Sequence, residues 1–228
     1  MYRIQNESRW IEKSLEQTSK VCQEIVILDD CSTDNTVNIC KKFPKVVDIY
    51  ERKEPLPLDE VRDRNILLQM AMKRNPDYVL ALDGDEILMP NSKEILNEEL
   101  NVLYPENHVF SFQVLYIWNT FDQFRFDGTY GHVWRPRLFK IKNQPTDLCY
   151  KNSIYPGNLH CNSIPDNTIG LDSPTRSNIK ILHYGYYDDK IRTQNYNFYT
   201  SHDVENKEDD SYMFLISGKG SWSGPNGM

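Results

Sequence analysis

Two short runs, Glu24-Ile-Val-Ile-Leu28 and Tyr78-Val-Leu-Ala-Leu82, constrain what this chain can fold into more than any other feature. Both lack the polar alternation of a strand with one wet face, and the first is packed with β-branched residues. Such runs read as strands buried on both faces, which occur in parallel sheets covered by helices. The flanking segments supply the helices. Ser8 to Cys22 places Trp10, Ile11, Leu15 and Cys22 near one helical face. Asp30-Cys-Ser-Thr-Asp34 offers N-cap oxygens for a helix through Lys42, and Asp59 is set to cap one reaching about Arg74. With Met1 to Ile4 and Val46 to Tyr50 as further strands, strands and helices alternate from the first residue to Leu82. That order predicts a mostly parallel, Rossmann-like α/β sheet with right-handed crossovers, flanked by helices.

Beyond Pro90 the texture changes. Ser92 to Leu103 reads as a helix, and Val109 to Trp118 and His132 to Ile141 as longer strands of a mixed region. Residues 143–178 carry Pro, Asn, Ser and Gly at turn density, Ile179 to Leu182 is a last short strand, and a helix runs from Asp189 past Tyr199. The Gly/Ser-rich end is expected to be loose. A length of 228 residues suits one domain, read here as two halves, 1–105 and 106–228.

Composition narrows the function classes. With 39% hydrophobic and 26% charged residues the chain is globular rather than disordered. A net charge of −7 argues against nucleic acid as a partner, since no basic face is available to neutralise phosphates. No apolar run has the length of a membrane span and Met1 to Trp10 has no signal-peptide core, so a cytoplasmic location is expected, with peripheral membrane contact left open. Five cysteines without a CxxC pair read as reduced thiols. The oligomeric state cannot be read.

In open α/β sheets ligands bind beyond the carboxyl ends of the strands. The loops there are Gln5 to Glu7, Asp29 to Asp34 and Asp83 to Glu86, all rich in carboxylates and amides. Asp83 and Asp85 flank Gly84 directly after an apolar strand. Two hard oxygen ligands in a tight turn suit Mn²⁺ or Mg²⁺ while leaving positions for phosphate oxygens. A solvated turn ahead of a helix is the alternative.

Four strings, Met1-Tyr-Arg-Ile-Gln-Asn-Glu7, Glu24 to Thr36, Arg62-Asp-Arg-Asn65 and Leu82-Asp-Gly-Asp-Glu86, resemble the family 2 glycosyltransferases of the GT-A fold in both order and spacing. The resemblance implies a single GT-A-like domain whose second half forms the acceptor side. It implies that Arg3, Gln5, Asn6 and Glu7 border the donor nucleotide, that Asp30 meets a uracil-type base and hence a UDP-sugar, and that Arg64 reaches toward the nucleotide. Asp83 is similar to the residue that touches the ribose and a metal-bound water, Asp85 to the direct metal ligand, and His183 to a histidine that in some relatives approaches the metal.

Such enzymes move a sugar from a nucleotide-diphosphate sugar to a hydroxyl with inversion. That implies a carbohydrate or glycolipid acceptor and a place in bacterial polysaccharide or glycoconjugate synthesis. The Glu-Asp dipeptide that often marks the general base in relatives is absent. Asp127, in the loop ahead of His132, is the first candidate for that base, with Glu86, Asp166 and Asp172 behind it. Trp118, Tyr130 and Trp134 are candidates for stacking on sugars. A haloacid-dehalogenase-type phosphatase also uses Asp-x-Asp after an apolar strand, but there the motif ends the first strand. A donor-binding scaffold without activity is the non-enzymatic alternative, and a sugar nucleotidyltransferase is disfavoured because its Gly-rich first loop is missing.

Overall fold

The computed structural model describes residues 1–127, 130–155, 159–203, 212–217 and 222–223. The Gly/Ser-rich end is outside this set apart from Ser217 and a two-residue strand at Trp222–Ser223. The first half forms the expected sheet. Strands β1 (Tyr2–Ile4), β2 (Ile25–Asp29) and β3 (Val46–Glu51) alternate with helices α1 (Ile11–Val21), α2 (Thr36–Cys40) and α3 (Glu60–Met72). The sheet runs β3-β2-β1-β5, where β5 is Leu82–Asp83, and every pairing in it is parallel.

The reading of β2 as buried on both faces holds residue by residue. Ile25 and Ile27 pack with Ile11 and Leu15 of α1, while Val26 and Leu28 pack with Leu67, Leu68 and Ala71 of α3. Each such aliphatic side chain, removed from water, stabilises the fold by roughly 1.5–3 kcal/mol. α1 buries Ile11, Ser14, Leu15 and Thr18, one face at helical spacing. Its two buried hydroxyls meet the Tyr2 hydroxyl at 2.9 and 2.6 Å, so these three groups beneath the sheet satisfy one another. Asp59 caps α3 as expected, by accepting from the Arg62 N–H at 2.8 Å.

The apolar run at Tyr78 to Leu82 is one strand in the sequence but two in the structure. β4 (Tyr78–Leu80) pairs antiparallel with β9 (Trp134–Lys140), and the chain then crosses to β1 as β5. At the crossing the Ala81 N–H donates to the Arg137 carbonyl at 2.8 Å and the Leu82 N–H to the Met1 carbonyl at 3.2 Å. A second sheet therefore assembles in the order β4-β9-β7-β12-β6, with β6 at Glu86–Leu88, β7 at Val109–Tyr116 and β12 at Thr175–His183. It draws strands from both halves of the chain.

Elsewhere the helix expected over Ser92 to Leu103 is α4 (Ser92–Glu98) followed by a π-helical turn, Glu99–Leu103. The last expected helix is α5 (Asp189–His202), capped by Asp188. Among the described residues no helix is long and apolar enough to cross a membrane.

Under the first sheet's carboxyl edge lies a network of alternating charge. Asp63 of α3 is fully buried and receives Arg52 at 2.5 Å, Arg62 at 2.9 Å and Arg3 at 3.0 Å. Burial works to raise the Asp63 carboxyl, but hydrogen bonds from Arg52 and Arg62 and the Arg3 charge hold it below the usual carboxylate range. Its folded-state value thus lies below its unfolded one. The contribution is present above about pH 4 and is lost as pH falls through the folded value. Asp63→Ala is expected to destabilise the protein by about 3 kcal/mol in urea unfolding at neutral pH, because buried Arg52 keeps Asp30 alone as a carboxylate partner and Arg3 loses one of its two. The gap to wild type should narrow on acidification.

Candidate active site

The carboxyl ends of β1, β2 and β5 open into a cavity of about 1110 Å³ that extends across the second sheet to α5. The turn after β5 supplies its acidic centre. Asp83 accepts from Arg64 at 2.7 Å and lies 3.7 Å from Arg137. Partial desolvation works to raise the Asp83 carboxyl, yet Arg64 and then Arg137 prevail and hold it down to about 2. Glu86 is fully buried, ion-paired to Arg137, and accepts the Asp83 N–H at 3.2 Å. Burial pushes it up to about 7 against the pull of Arg137.

His183 arrives from the far side. It is the last residue of β12, registered opposite Glu86 on β6 and Tyr116 on β7, and the next residue, Tyr184, donates its N–H to the Asp85 carbonyl at 3.0 Å. This pairing brings His183 Nε2 to 3.8 Å from Asp85 Oδ2. Burial, opposed by His183 and reinforced by Asp83, raises the Asp85 carboxyl. Two glycines make the approach fit. A Cβ on Gly84 would meet Glu7 Cγ at 2.5 Å, and one on Gly185 would meet Asp85 Oδ2 at 2.4 Å and His183 Cε1 at 2.5 Å. Glu7 is pushed up to about 9 by desolvation and by the charges of Asp85, Asp83 and Asp34.

At the carboxyl ends of β1 and β2, Asp30 receives Arg3 at 2.7 Å and pairs with Arg52, while Gln5 donates to the Asp30 carbonyl at 2.7 Å. Arg3, Gln5, Glu7, Asp30, Arg64 and the Asp83–Glu86 turn all line the cavity, as does His183. Asn6 does not. It takes a left-handed backbone (φ 56°) and uses its side-chain oxygen to receive the Thr33 N–H at 2.8 Å, bracing the first loop against the second.

The candidates for a base separate differently from what the sequence suggests. Asp127 lies outside the cavity lining and is clamped by both arms of Arg125, at 2.6 and 3.0 Å. Asp166 accepts N–H groups of residues 151 and 152 and holds the loop there, and Asp172 is exposed and outside the cavity. Glu86 has no exposed surface with which to meet an acceptor. Of the expected stacking rings, Tyr130 lines the cavity, whereas Trp118 is buried between the guanidiniums of Arg125 and Arg192 and Trp134 lies outside. Sequence reasoning missed Arg137, Glu60, His160 and the rings Tyr116, Tyr186 and Tyr199, all of which line the cavity. For Arg137 the one signal in the sequence is its place beside the apolar pair Leu138-Phe139 of β9, where it is buried.

The donor types at this turn are those a divalent cation accepts. Two carboxylates and an imidazole are suitable for Mn²⁺, and the bare Gly185 keeps the space between Asp85 and His183 clear. Among the described residues no group of three or more His, Cys, Asp and Glu is drawn together tightly enough to hold a metal unaided.

Comparison with known proteins agrees with this architecture. The chain is similar to two uncharacterized mycobacterial proteins, Rv3786c of Mycobacterium tuberculosis and Mb3815c of Mycobacterium bovis, each 29% identical over 90 residues, 37% of this chain. It spans about a fifth of the length of those relatives, 22% of each. In structure it is similar to S. aureus TarS, with a TM-score of 0.53 at 16% identity over 93% of this chain and 41% of TarS. S. aureus TarS 1-349 in complex with UDP-GlcNAc gives 0.51 at 14% identity over 93% and 69%. The fold is thus of the GT-A type. Residues 4–155 match the family model for glycosyl transferase family 2, and with that much of its length matched the chain belongs to this family.

Proposed function

We propose that the protein transfers a sugar from a nucleoside-diphosphate sugar to the hydroxyl of a carbohydrate or glycolipid acceptor, inverting the anomeric centre with the help of a divalent cation. The observation that carries this reading is the convergence in one cavity of Asp83, Asp85 and His183 with the Asp30–Arg3 pair. A UDP-sugar is the favoured donor, in keeping with the UDP-GlcNAc bound by S. aureus TarS, which shares the fold. All five cysteines are free thiols, which suits a reducing compartment such as the cytoplasm. A place in polysaccharide or glycoconjugate synthesis follows from the same reading.

Asp85 and His183 are the residues that would hold the cation, with Asp83 beside them. The cation's contribution is to offset charge on the departing diphosphate. The chain's own residues do the rest. Arg64 and Arg137 set the position and ionisation of Asp83, Glu86 anchors Arg137 from below, and Asp30 with Arg3 forms the polar wall for the base and ribose. The phosphatase alternative requires the first Asp as a free nucleophile. Asp83 is instead held by Arg64, and its strand is the last, not the first, of the parallel sheet to be laid down in the chain.

Thermal denaturation with UDP, GDP and their sugars, with and without Mn²⁺, checks the reading directly. A UDP-sugar with Mn²⁺ at about a hundred times its Kd is expected to raise Tm by roughly 5–10 °C. A Tm unmoved by every nucleotide tried would overturn the proposal. Asp85→Ala should remove the Mn²⁺-dependent part of the rise and lower donor turnover by about two orders of magnitude. Gly185→Ala should do the same through sterics, while lowering stability in urea by about 1–3 kcal/mol. A variant at 185 that keeps its full response to Mn²⁺ would remove His183 from the metal site.

A further inference from the structure

Helix α5 presents to the cavity a face that the roles above leave unused. Asn195, Phe198, Tyr199 and His202 recur at the spacing of one helical face, and all four line the cavity together with the exposed amide of Gln194. The face is held beside the acidic turn. Asn195 Nδ2 donates to the Gly185 carbonyl at 2.7 Å, and Gly185 is the residue whose missing side chain leaves room for Asp85 and His183. One turn further on, burial and then the charge of Asp85 raise the Tyr199 hydroxyl above its ordinary range, as expected of a ring close to the same turn. Between these two anchors stands Phe198, an apolar ring that lines the cavity and is 40% exposed. Its ring is backed by the His202 imidazole, with centroids 4.3 Å apart and planes at 30°, and meets Tyr199 edge-on at 5.8 Å. His202 is itself fixed, its Nδ1 lying 2.8 Å from both the Phe198 carbonyl and the Ser201 hydroxyl. Phe198 is thus a flat apolar surface braced by its own helix and open to the cavity.

Resting on the glycosyl-transfer reading, we propose that this face of α5 is the acceptor subsite and that it takes a pyranose ring, stacked on Phe198 with its hydroxyl rim toward Gln194. A pyranose carries C–H groups across one face and hydroxyls around its edge, so an aromatic ring with an amide beside it matches both parts at once. A polyol phosphate has no flat apolar face to lay on the ring. The acceptor therefore narrows to a glycan or glycolipid that presents a sugar ring at the site of transfer. The Asp30–Arg3 pair belongs to the first sheet, whereas α5 follows β12 of the second, so a sugar on Phe198 reaches the acidic turn from a different wall than a base beside Asp30. The anchor at Asn195 sets the distance: Phe198 stands one helical turn from the residue tied to Gly185, within a sugar's length of the turn.

Nucleotide release by the full chain with Mn²⁺ and UDP-glucose, UDP-GlcNAc or GDP-mannose tests this, in the presence of methyl glucosides, galactosides, mannosides and N-acetylglucosaminides. At least one glycoside is expected to accelerate release over water alone, and glycerol phosphate, which has no ring, is not. Phe198→Ala should raise KM for that glycoside by about 10-fold, while Phe198→Trp, which keeps a stacking surface, should leave it near the wild-type value. Calorimetric affinity for UDP should be the same in all three proteins. Because the ring is partly exposed, the Tm of Phe198→Ala should stay within about 2 °C of wild type. Acceleration by no glycoside, acceleration by glycerol phosphate alone, an unchanged KM in Phe198→Ala, or a loss of UDP affinity in that variant would overturn this inference and leave the donor-side reading standing. A wild-type protein that releases nucleotide from none of these donors would overturn both.

Discussion

The structure depends on a handover of hydrogen bonds at Ala81 and Leu82. One residue gives its N–H to β9 of the second sheet and the next gives its N–H to the first residue of the chain, so a single apolar run seals the seam between two sheets. Backbone groups at such a seam are buried and must be paired, which leaves little freedom in where the run begins and ends. The turn that follows, Asp83 to Asp85, is therefore held over the junction, and β6 then returns antiparallel to β12. Both walls of the cavity are positioned from this crossing. It sets the Asp83–Asp85 turn against β1 and the imidazole of His183 against β6.

Arginines make that geometry tolerable in electrostatic terms. Carboxylates taken out of water cost several kcal/mol each unless they are paired and hydrogen-bonded. Asp63 and Asp30 share Arg3 and Arg52, while Asp83 and Glu86 share Arg137, with Arg64 completing the coordination of Asp83. Among the described residues Asp85 and Glu7 form no ion pair with an arginine, and desolvation raises their carboxyls as it does that of Glu86. The carboxyls of Asp85 and Glu7 lie together at the turn after β5.

Much of this was legible from residue patterns. β-branched runs without alternation identified strands covered on both faces, Asp59 stood where a cap is needed, and the acidic turn after an apolar strand lay at the carboxyl edge of a parallel sheet. Those inferences rest on interactions between near neighbours in the chain, whose periodicity and side-chain chemistry are written in order. Asp127 shows the opposite case. Its position in a loop ahead of a strand was suggestive, but Arg125, two residues away, turns to neutralise it, and no spacing rule separates that outcome from a free carboxylate. Glu86 likewise adjoins the acidic motif yet is buried at the cavity floor and ion-paired to Arg137.

By itself the sequence determined the parallel sheet, its flanking helices and the acidic turn that closes it, because these follow from local periodicity and capping. Tertiary structure alone decided that Tyr78 to Leu82 is shared between two sheets, that Arg137 and His183 flank the turn, and that Glu60 meets His160 across 100 positions of chain. Each of these is a contact between distant segments, fixed by strand register and by the need to pair every buried charge. Neither constraint has a signature in any short window of residues.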